Sequence, residues 1–441
     1  MSIFKAYDIR GIVPTELNEE VIYRVGRAFV LFLGCKEVVI GRDVRLSADS
    51  LFEALAKGIM DQGADVYDIG HCDTPMLYFS AQGKPAAIMI TASHNPKEYN
   101  GLKLCRENAI PLSGATGIQE IEKIYNAGNF PDSAKGKMIK LNKTQEFIRF
   151  SRSFANFSTG KRLKMVVDGA NAAGTLVFPK VFDGLDVDFI PIYMEPDGTF
   201  PNHEANPLVD ENMRDLQKAV LEHGADLGVA LDGDADRCMF VDEQGKIQRA
   251  DIMGALMARD ILKRVPGTTI LYDLRSSRAF KEEIEAGGGK AIQCRVGHAF
   301  IKKEMREHDA TFAAELAGHF YFKDHFFTES SAIATISVLN LLAAEGKPLS
   351  ELAKRVNRYF HTGEINFRVE DKEGAMKHLE EAFPDGRAFH LDGLSVEYAD
   401  WWFNLRPSNT EPFLRLCLEA TTAEKMEEYK EKIIKLLEPL K

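Results

Sequence analysis

The sequence predicts an α/β protein in which one kind of unit recurs three times and a smaller α+β unit with antiparallel strands closes the chain. Two observations carry this. Apolar runs of strand length alternate with helical periodicities over most of the chain, the pattern of βαβ winding with largely parallel strands. Beyond residue 362 the pattern changes to short strands around an Asp392-Gly393 hairpin signal. At 441 residues the chain exceeds one ordinary core and suggests three or four domains. The expected division is 1–150, 151–249, 250–361 and 362–441.

In the first unit Asn18 is placed to cap a helix whose apolar residues Ile22, Val25, Phe29 and Phe32 recur up to Gly34. A strand over 37–40 leads into Gly41-Arg42-Asp43, and Ser47 is placed to cap a helix carrying Leu51, Leu55 and Ile59 that ends at Gly63. A strand over 65–69, a short helix opened by Thr74-Pro75 and a buried strand over 86–90 deliver the loop Thr91-Ala92-Ser93-His94-Asn95-Pro96. Pro96 blocks further pairing, so Ser93 lies at the carboxyl end of a strand, where open α/β sheets bind ligands. Asn100-Gly101 then reads as a turn before Lys103.

The second unit runs from a strand over 164–167 through a helix with Val177 and Phe182 to a strand over 227–231, which ends in Asp232-Gly233-Asp234-Ala235-Asp236-Arg237. The third runs from a strand over 269–272, followed by Asp273-Leu274-Arg275, to a strand over 311–314 and the loop Glu315-Leu316-Ala317-Gly318-His319. Three similar units thus each present a polar loop at a comparable place. The closing unit reads as strands over 364–369, 395–398, 402–405 and 413–419 with a helix over 373–383 and a final amphipathic helix. Its conspicuous loop is Arg406-Pro407-Ser408-Asn409-Thr410-Glu411-Pro412, and linkers are expected at 128–136, 242–245 and 359–363.

Composition narrows the function. Hydrophobic residues at 45% and charged residues at 27% exclude extensive disorder. No apolar stretch approaches the roughly 18 residues that cross a bilayer, and the first residues lack a basic segment followed by an apolar one. The expectation is therefore a cytoplasmic protein with no membrane partner. Six scattered cysteines without a C-x-x-C pair read as buried thiols, not as zinc or redox ligands. A net charge of −11 argues against a nucleic-acid partner and leaves room for a small anion in a local basic pocket.

Asp232, Asp234 and Asp236 alternate, so in a turning loop three carboxylates converge on one point. Their mutual repulsion calls for a cation, and an all-oxygen set selects Mg²⁺ over Zn²⁺. A calcium loop is the rival, because Glu243 falls at its last-ligand position. Against it, Arg237 stands where that loop needs glycine, and both flanks read as strands. A solvated acidic turn is the plain alternative. A metal there keeps open positions, one of which a phosphate on Ser93 would fill, making Ser93 both a catalytic residue and a metal ligand.

His94 and Lys103 are placed to neutralise charge, although His94 also fits a loop-orienting role and Lys103 a solvated strand position. Arg406, Ser408, Asn409 and Thr410 concentrate phosphate-binding groups, and the same composition alone fits a capped turn. Glu315 and His319 suit recognition of sugar hydroxyls; each alone is an ordinary surface residue type.

Taken in order, Tyr7-Asp8-Ile9-Arg10-Gly11, Gly41-Arg42-Asp43, the serine loop, the aspartate loop, Gly297-His298, Glu315 to His319 and Arg406 to Pro412 resemble the α-D-phosphohexomutase superfamily, and in it the bacterial phosphomannomutase/phosphoglucomutase group. The resemblance spans nearly the whole chain, and the ordered set is what makes it specific. It implies three similar α/β domains with mixed sheets plus a C-terminal α+β domain with an antiparallel sheet, arranged around a central cleft. It implies a phosphoserine at Ser93 whose phosphate, with Asp232, Asp234 and Asp236, holds Mg²⁺. Arg237 and Lys103 would lie near the transferring phosphoryl group, and Arg10 and His298 near the reacting substrate, with Tyr7 beside them. Glu315 would read the sugar, while Arg406, Ser408, Asn409 and Thr410 would bind the phosphate that is not transferred.

The implied reaction interconverts hexose 1-phosphate and hexose 6-phosphate, of mannose or glucose, through a hexose 1,6-bisphosphate. Glucose 1,6-bisphosphate or mannose 1,6-bisphosphate would serve as activator. The partners are sugar phosphates, and the chain would be a monomer or small homo-oligomer. Two departures stand out. Ala317 replaces a serine common in the sugar loop. Arg275 stands where many members carry lysine, keeping a phosphate-contacting charge without a proton to donate at neutral pH. A phosphoglucosamine mutase, a metal-dependent sugar phosphatase and a non-catalytic sugar-phosphate sensor are the competing readings.

Overall fold

The computed structural model describes residues 2–157, 162–408 and 413–438; Asn409 and Thr410 of the expected phosphate loop lie outside them. It has four sheets, one per domain. The first runs Ile9–Ile12, Tyr99–Arg106, Ala86–Ile90, Glu37–Arg42, Asp65–His71, Met138–Lys140. Its last four strands are mutually parallel, while Tyr99–Arg106 and Ile9–Ile12 join antiparallel. The second sheet runs Ile247–Gln248, Cys238–Asp242, Leu227–Leu231, Leu163–Asp168, Val187–Ile192, and the third Lys290–Cys294, Thr269–Asp273, Phe312–Ala314, Phe320–Phe322, Thr328–Glu329. The fourth is antiparallel throughout: Phe360–Arg368, Phe413–Ala420, Trp401–Pro407, Leu394–Glu397, Arg387–Phe389.

The repeated device is now visible. In each of the first three domains a buried parallel strand ends in a polar loop, and the chain returns antiparallel beside it: Ala86–Ile90 to Tyr99–Arg106, Leu227–Leu231 to Cys238–Asp242, Phe312–Ala314 to Phe320–Phe322. No helix intervenes to carry the chain back, so each sheet is mixed, while the strands Glu37–Arg42, Asp65–His71 and Ala86–Ile90 that deliver Ser93 are parallel as expected. Each polar loop is therefore clamped between two hydrogen-bonded strands.

Several local expectations are corrected by packing. Asn100-Gly101 is not a turn but lies inside the strand Tyr99–Arg106. Glycine is needed there because a Cβ would stand 2.2 Å from the Ile9 carbonyl oxygen across the sheet. Ser47 does not cap its helix; its hydroxyl accepts from Asn100 Nδ2 at 2.9 Å instead. The helix Thr74–Ser80 does open at Thr74-Pro75 as expected, with Asp73 as its cap. The expected linker at 128–136 feeds the strand Met138–Lys140, which pairs with Asp65–His71, and residues 360–363 already belong to the fourth sheet. Asn18 and Gly34 cap as expected.

One contiguous apolar cluster, from Val39 and Met76 through Val166 and Phe240 to Ile270 and Val356, runs through the first three domains. The fourth has a separate core around Trp401, Phe403, Leu416 and Ile433. It meets the third mostly through polar contacts: Arg278 N to Glu419 Oε1 at 3.0 Å, Arg278 Nη1 to the Ala399 carbonyl at 3.0 Å, and His361 Nε2 against the Arg275 carbonyl at 2.8 Å. A cavity of about 760 Å³, lined by Tyr272 and Arg278 on one side and Phe389 and Trp402 on the other, opens along this seam. Among the described residues no helix is long and apolar enough to cross a membrane.

Candidate active site

The serine loop is held under strain. Ser93 has φ 50°, a left-handed conformation that costs a non-glycine residue about 1 kcal/mol or more. What imposes it is Arg45, a residue the sequence did not single out. Its buried guanidinium donates to the carbonyls of Ser93 (2.8 Å), Asn95 (2.6 Å), Pro96 (2.7 Å) and Tyr99 (2.9 Å), and its Nε faces Asp43 Oδ2 at 3.2 Å. All of its N–H groups are used. Arg45 also bridges to Gly198 of the second domain and lies over the Phe200 ring, so the same residue fixes the loop and the domain contact.

The aspartate loop fits against it. Ser93 Oγ donates to Asp232 Oδ2 at 2.9 Å and lies 3.3 Å from His94 Nδ1. A Cβ on Gly233 would stand 2.1 Å from the Ser93 carbonyl oxygen, so glycine is what lets the two backbones approach. Thr74 locks the far side, its N–H donating to the Asp234 carbonyl at 2.9 Å and its hydroxyl to Asp234 Oδ2 at 2.5 Å.

Asp232, Asp234 and Asp236 are all buried, with ligand oxygens within 4.8 Å of one another. The expected rival, a calcium loop, is ruled out by geometry: Glu243 accepts from Ser350 in a separate contact, and the flanks are strands. Burial and then the two neighbouring aspartates push the Asp232 carboxyl up to about 8. Asp236 goes the other way: against burial, Lys103 and His319 hold it well below the usual range. Lys103 Nζ sits 2.5 Å from Asp234 Oδ2 and also donates to Asp236 Oδ2. Even so, Asp234 Oδ1 and Asp236 Oδ1 are buried without a hydrogen-bond partner. Two orphaned carboxylate oxygens in an all-oxygen pocket fit a hard dication.

The third domain joins at Arg237. Its backbone forms an antiparallel bridge with His319, Cys238 N donates to the Gly318 carbonyl at 3.0 Å, and Arg237 N donates to Asp232 Oδ1 at 3.2 Å. Glu315, expected to face sugar hydroxyls, is buried and engaged. It accepts from His319 Nδ1 at 2.6 Å, Tyr321 Oη at 2.8 Å and Gly297 N at 3.0 Å. His319 Nε2 stands 3.1 Å from Arg237 Nε and 3.4 Å from Asp236 Oδ1. Neutral, it accepts from Arg237; protonated, it donates to Asp236. Burial and Arg237 oppose protonation, but Asp236 and Glu315 outweigh them and lift the ring to about 9.

The other two histidines are neutral. Burial and the nearby cations Arg237 and Arg10 hold His94 well below its usual value, and burial with Lys302 does the same to His298. Lys302, also missed from sequence, lies 3.4 Å from His298 Nδ1 and forms a fully buried ion pair with Glu329 at 2.7 Å. Arg10 donates to Asn95 Oδ1 at 2.6 Å and pairs with Asp8 at 2.5 Å. The Tyr7 ring meets His298 edge-on at 6.1 Å, and burial followed by the charge of Asp392 raises its hydroxyl to about 12.

Arg406 and Arg275 form a second centre. Arg406 Nη2 donates to Glu364 Oε2 at 2.8 Å, and Arg275 pairs with Asp273 at 2.6 Å and with Glu364 at 3.3 Å. Ser408 N donates to the Phe413 carbonyl at 2.8 Å. The structure thus unites Ser93, the aspartates, Lys103, Arg237, Glu315, His319 and His298 in one polar centre. It groups Arg275 and Arg406 separately, with Tyr7 feeling charges from both.

All four parts of the chain match one family. They match, in order, phosphoglucomutase/phosphomannomutase alpha/beta/alpha domain I over residues 1–132, domain II over 145–245, domain III over 249–359, and the C-terminal domain over 364–436. The chain belongs to the phosphoglucomutase/phosphomannomutase family. A phosphomannomutase of Methanocaldococcus jannaschii is 42% identical over 445 residues, covering 99% of this chain and 98% of that protein. One of Salmonella montevideo is 40% identical over 433 residues, covering 95% of each. A crystal structure of a family protein from Burkholderia thailandensis superposes with TM-score 0.92 at 31% identity, covering 99% and 97%. Family membership fits the four-sheet architecture, three mixed and one antiparallel.

Proposed function

We propose that the chain is a phosphohexomutase that interconverts hexose 1-phosphate and hexose 6-phosphate, of mannose or glucose, through phosphorylated Ser93 and a hexose 1,6-bisphosphate. The observation that carries this is Ser93 Oγ lying 2.9 Å from Asp232 Oδ2, at the edge of three buried carboxylates, two of which, Asp234 and Asp236, keep an unpaired oxygen. A phosphatase would need the same nucleophile, but the relatives are mutases by name at about 40% identity.

Asp232, Asp234 and Asp236 would hold Mg²⁺, whose chemistry is to neutralise the phosphoryl oxygens and ease departure of the serine oxygen. The chain's own groups do the rest. Arg237 and Lys103 add fixed positive charge where the phosphoryl group moves. The neutral rings of His94 and His298 are proton acceptors for the attacking sugar hydroxyl, whereas His319, whose ring nitrogens face Glu315 and Asp236, contributes positive charge beside the cluster. Arg406 and Arg275 bind the other phosphate. Asn409 and Thr410 would complete that site. The bisphosphate then turns so that its second phosphate faces Ser93, and the polar seam of the fourth domain lets the cleft open enough for this. Glucose 1,6-bisphosphate restores Ser93 whenever the intermediate escapes.

The test is phosphorus NMR with Mg²⁺, a trace of glucose 1,6-bisphosphate and, in separate tubes, mannose, glucose and N-acetylglucosamine 1-phosphates. The expected result is conversion of the first two to the 6-phosphates, and its loss in Ser93→Ala with the fold retained. Release of inorganic phosphate without isomerisation, or full activity in Ser93→Ala, would overturn the proposal.

A further inference from the structure

The fourth domain begins with an irregularity. The strand Phe360–Arg368 pairs with Phe413–Ala420, but the register shifts between His361 and Glu364. A bulge of this kind re-aims the side chain that follows it. Here it turns Glu364 into a cluster of arginines: Oε2 accepts from Arg406 Nη2 at 2.8 Å and faces Arg275 Nη1 at 3.3 Å, while Oε1 accepts from Arg415 Nη1 at 2.8 Å. Arg275 comes from the third domain and the others from the fourth, so one carboxylate ties together cations on both sides of the seam. Against burial, Arg275, Arg406 and Arg415 hold it down at about 2, fully ionised.

Arg275 is already matched by Asp273, which accepts from it twice. Among the described residues, three guanidinium groups therefore face two carboxylates. A phosphate monoester carries up to two negative charges. A site built only to hold phosphate gains nothing from an anion at its centre, since the carboxylate competes for the same N–H groups.

We infer that Glu364 is a positioning residue that moderates the phosphate clamp: it occupies the arginine donors between turnovers and weakens the hold on the resting phosphate, so that the bisphosphate can let go and turn. The inference rests on the mutase reading above, because only a reaction whose intermediate must change ends needs a clamp that releases. An incoming phosphate displaces the carboxylate from Arg406 and Arg415, and the carboxylate reclaims them as the phosphate leaves.

The test compares wild type with Glu364→Gln and Glu364→Asp, first confirming folding by circular dichroism. Glu364→Ala replaces the glutamine variant if that one does not fold. Two readouts are taken: kcat and KM for mannose 1-phosphate with activator, and calorimetric binding of inorganic phosphate with Mg²⁺ withheld, so that the aspartate cluster repels the probe instead of adding to its affinity. Glu364→Gln is expected to tighten phosphate binding and lower KM about tenfold while lowering kcat. Glu364→Asp, which keeps the charge, is expected to stay near wild type in phosphate affinity. Unchanged or weaker phosphate binding in Glu364→Gln would mean the carboxylate only scaffolds the arginines, and would overturn the inference. Were the wild type to isomerise no sugar, the mutase reading would fail by itself, and the calorimetric comparison would still decide the role of Glu364.

Discussion

Arg45→Lys separates the charge of this residue from its hydrogen-bonding fan. The arginine serves four loop carbonyls and Asp43 from one plane. A lysine ammonium has three donors on a single nitrogen, so it can stay paired with Asp43 but must abandon at least two carbonyls. Each abandoned charge-assisted bond to a buried acceptor costs about 1–3 kcal/mol. With two lost and some relaxation of the loop, the cost is about 3 kcal/mol, and it falls on the strained placement of Ser93, not on the sheet. At 1.36 kcal/mol per factor of ten, kcat should fall by roughly a hundredfold. The melting temperature should fall as well, by roughly a few degrees, because the lost bonds belong to the native state and Arg45 also holds the contact with Gly198 and Phe200. The assay is a coupled measurement of glucose 6-phosphate formation beside a thermal melt. A variant within about threefold of wild-type kcat would refute the idea that this fan sets the serine.

Gly233→Ala should also act through geometry: its Cβ, 2.1 Å from the Ser93 carbonyl oxygen, forces the two loops apart and should cost at least a hundredfold in kcat, on the order of 3 kcal/mol. Loss of phosphoserine by intact-mass spectrometry would locate the damage. Without Mg²⁺, thermal stability should fall as pH rises. Asp232, raised to about 8, keeps a proton in the fold that the unfolded chain loses near pH 4, so its contribution is present at acidic pH and lost on the way through pH 8. His319, raised to about 9, has the same sign between about pH 6.5 and 9. Mg²⁺ binding should accordingly release protons and stabilise the protein more at pH 8 than at pH 6, which melts at the two pH values check directly.

What sequence showed and what it hid divide along physical lines. The alternating aspartates were legible because a turning loop brings them together whatever the rest of the chain does. So was the loop at the end of Ala86–Ile90, where proline and polarity are local signals. The direction of the return strands was not, because parallel or antiparallel pairing is decided across the sheet; Asn100-Gly101 looked like a turn for that reason. Arg45, the Lys302–Glu329 pair and Glu364 were hidden for another. Their roles depend on burial and on partners far along the chain, and a charged residue on a strand or helix reads as solvated until its neighbours are known. Arg45 did leave a trace, in the run Gly41-Arg42-Asp43-Val44-Arg45 directly after a strand. Glu315 was placed in the right loop, but its immediate work is on His319 and Tyr321.

The unequal sharing of apolar packing bears on how the chain folds and how it tolerates cutting. Because one cluster runs from Val39 to Val356, no break between the first three domains leaves two finished bodies. A fragment ending near residue 245 would display to water the apolar faces of the first and second domains that the third covers, and would aggregate. A fragment ending near residue 357 sheds mostly polar contacts, and residues 360–438 carry away a core of their own. During synthesis the fourth sheet can therefore form last, against a body already complete, and dock without waiting for any buried surface to be covered.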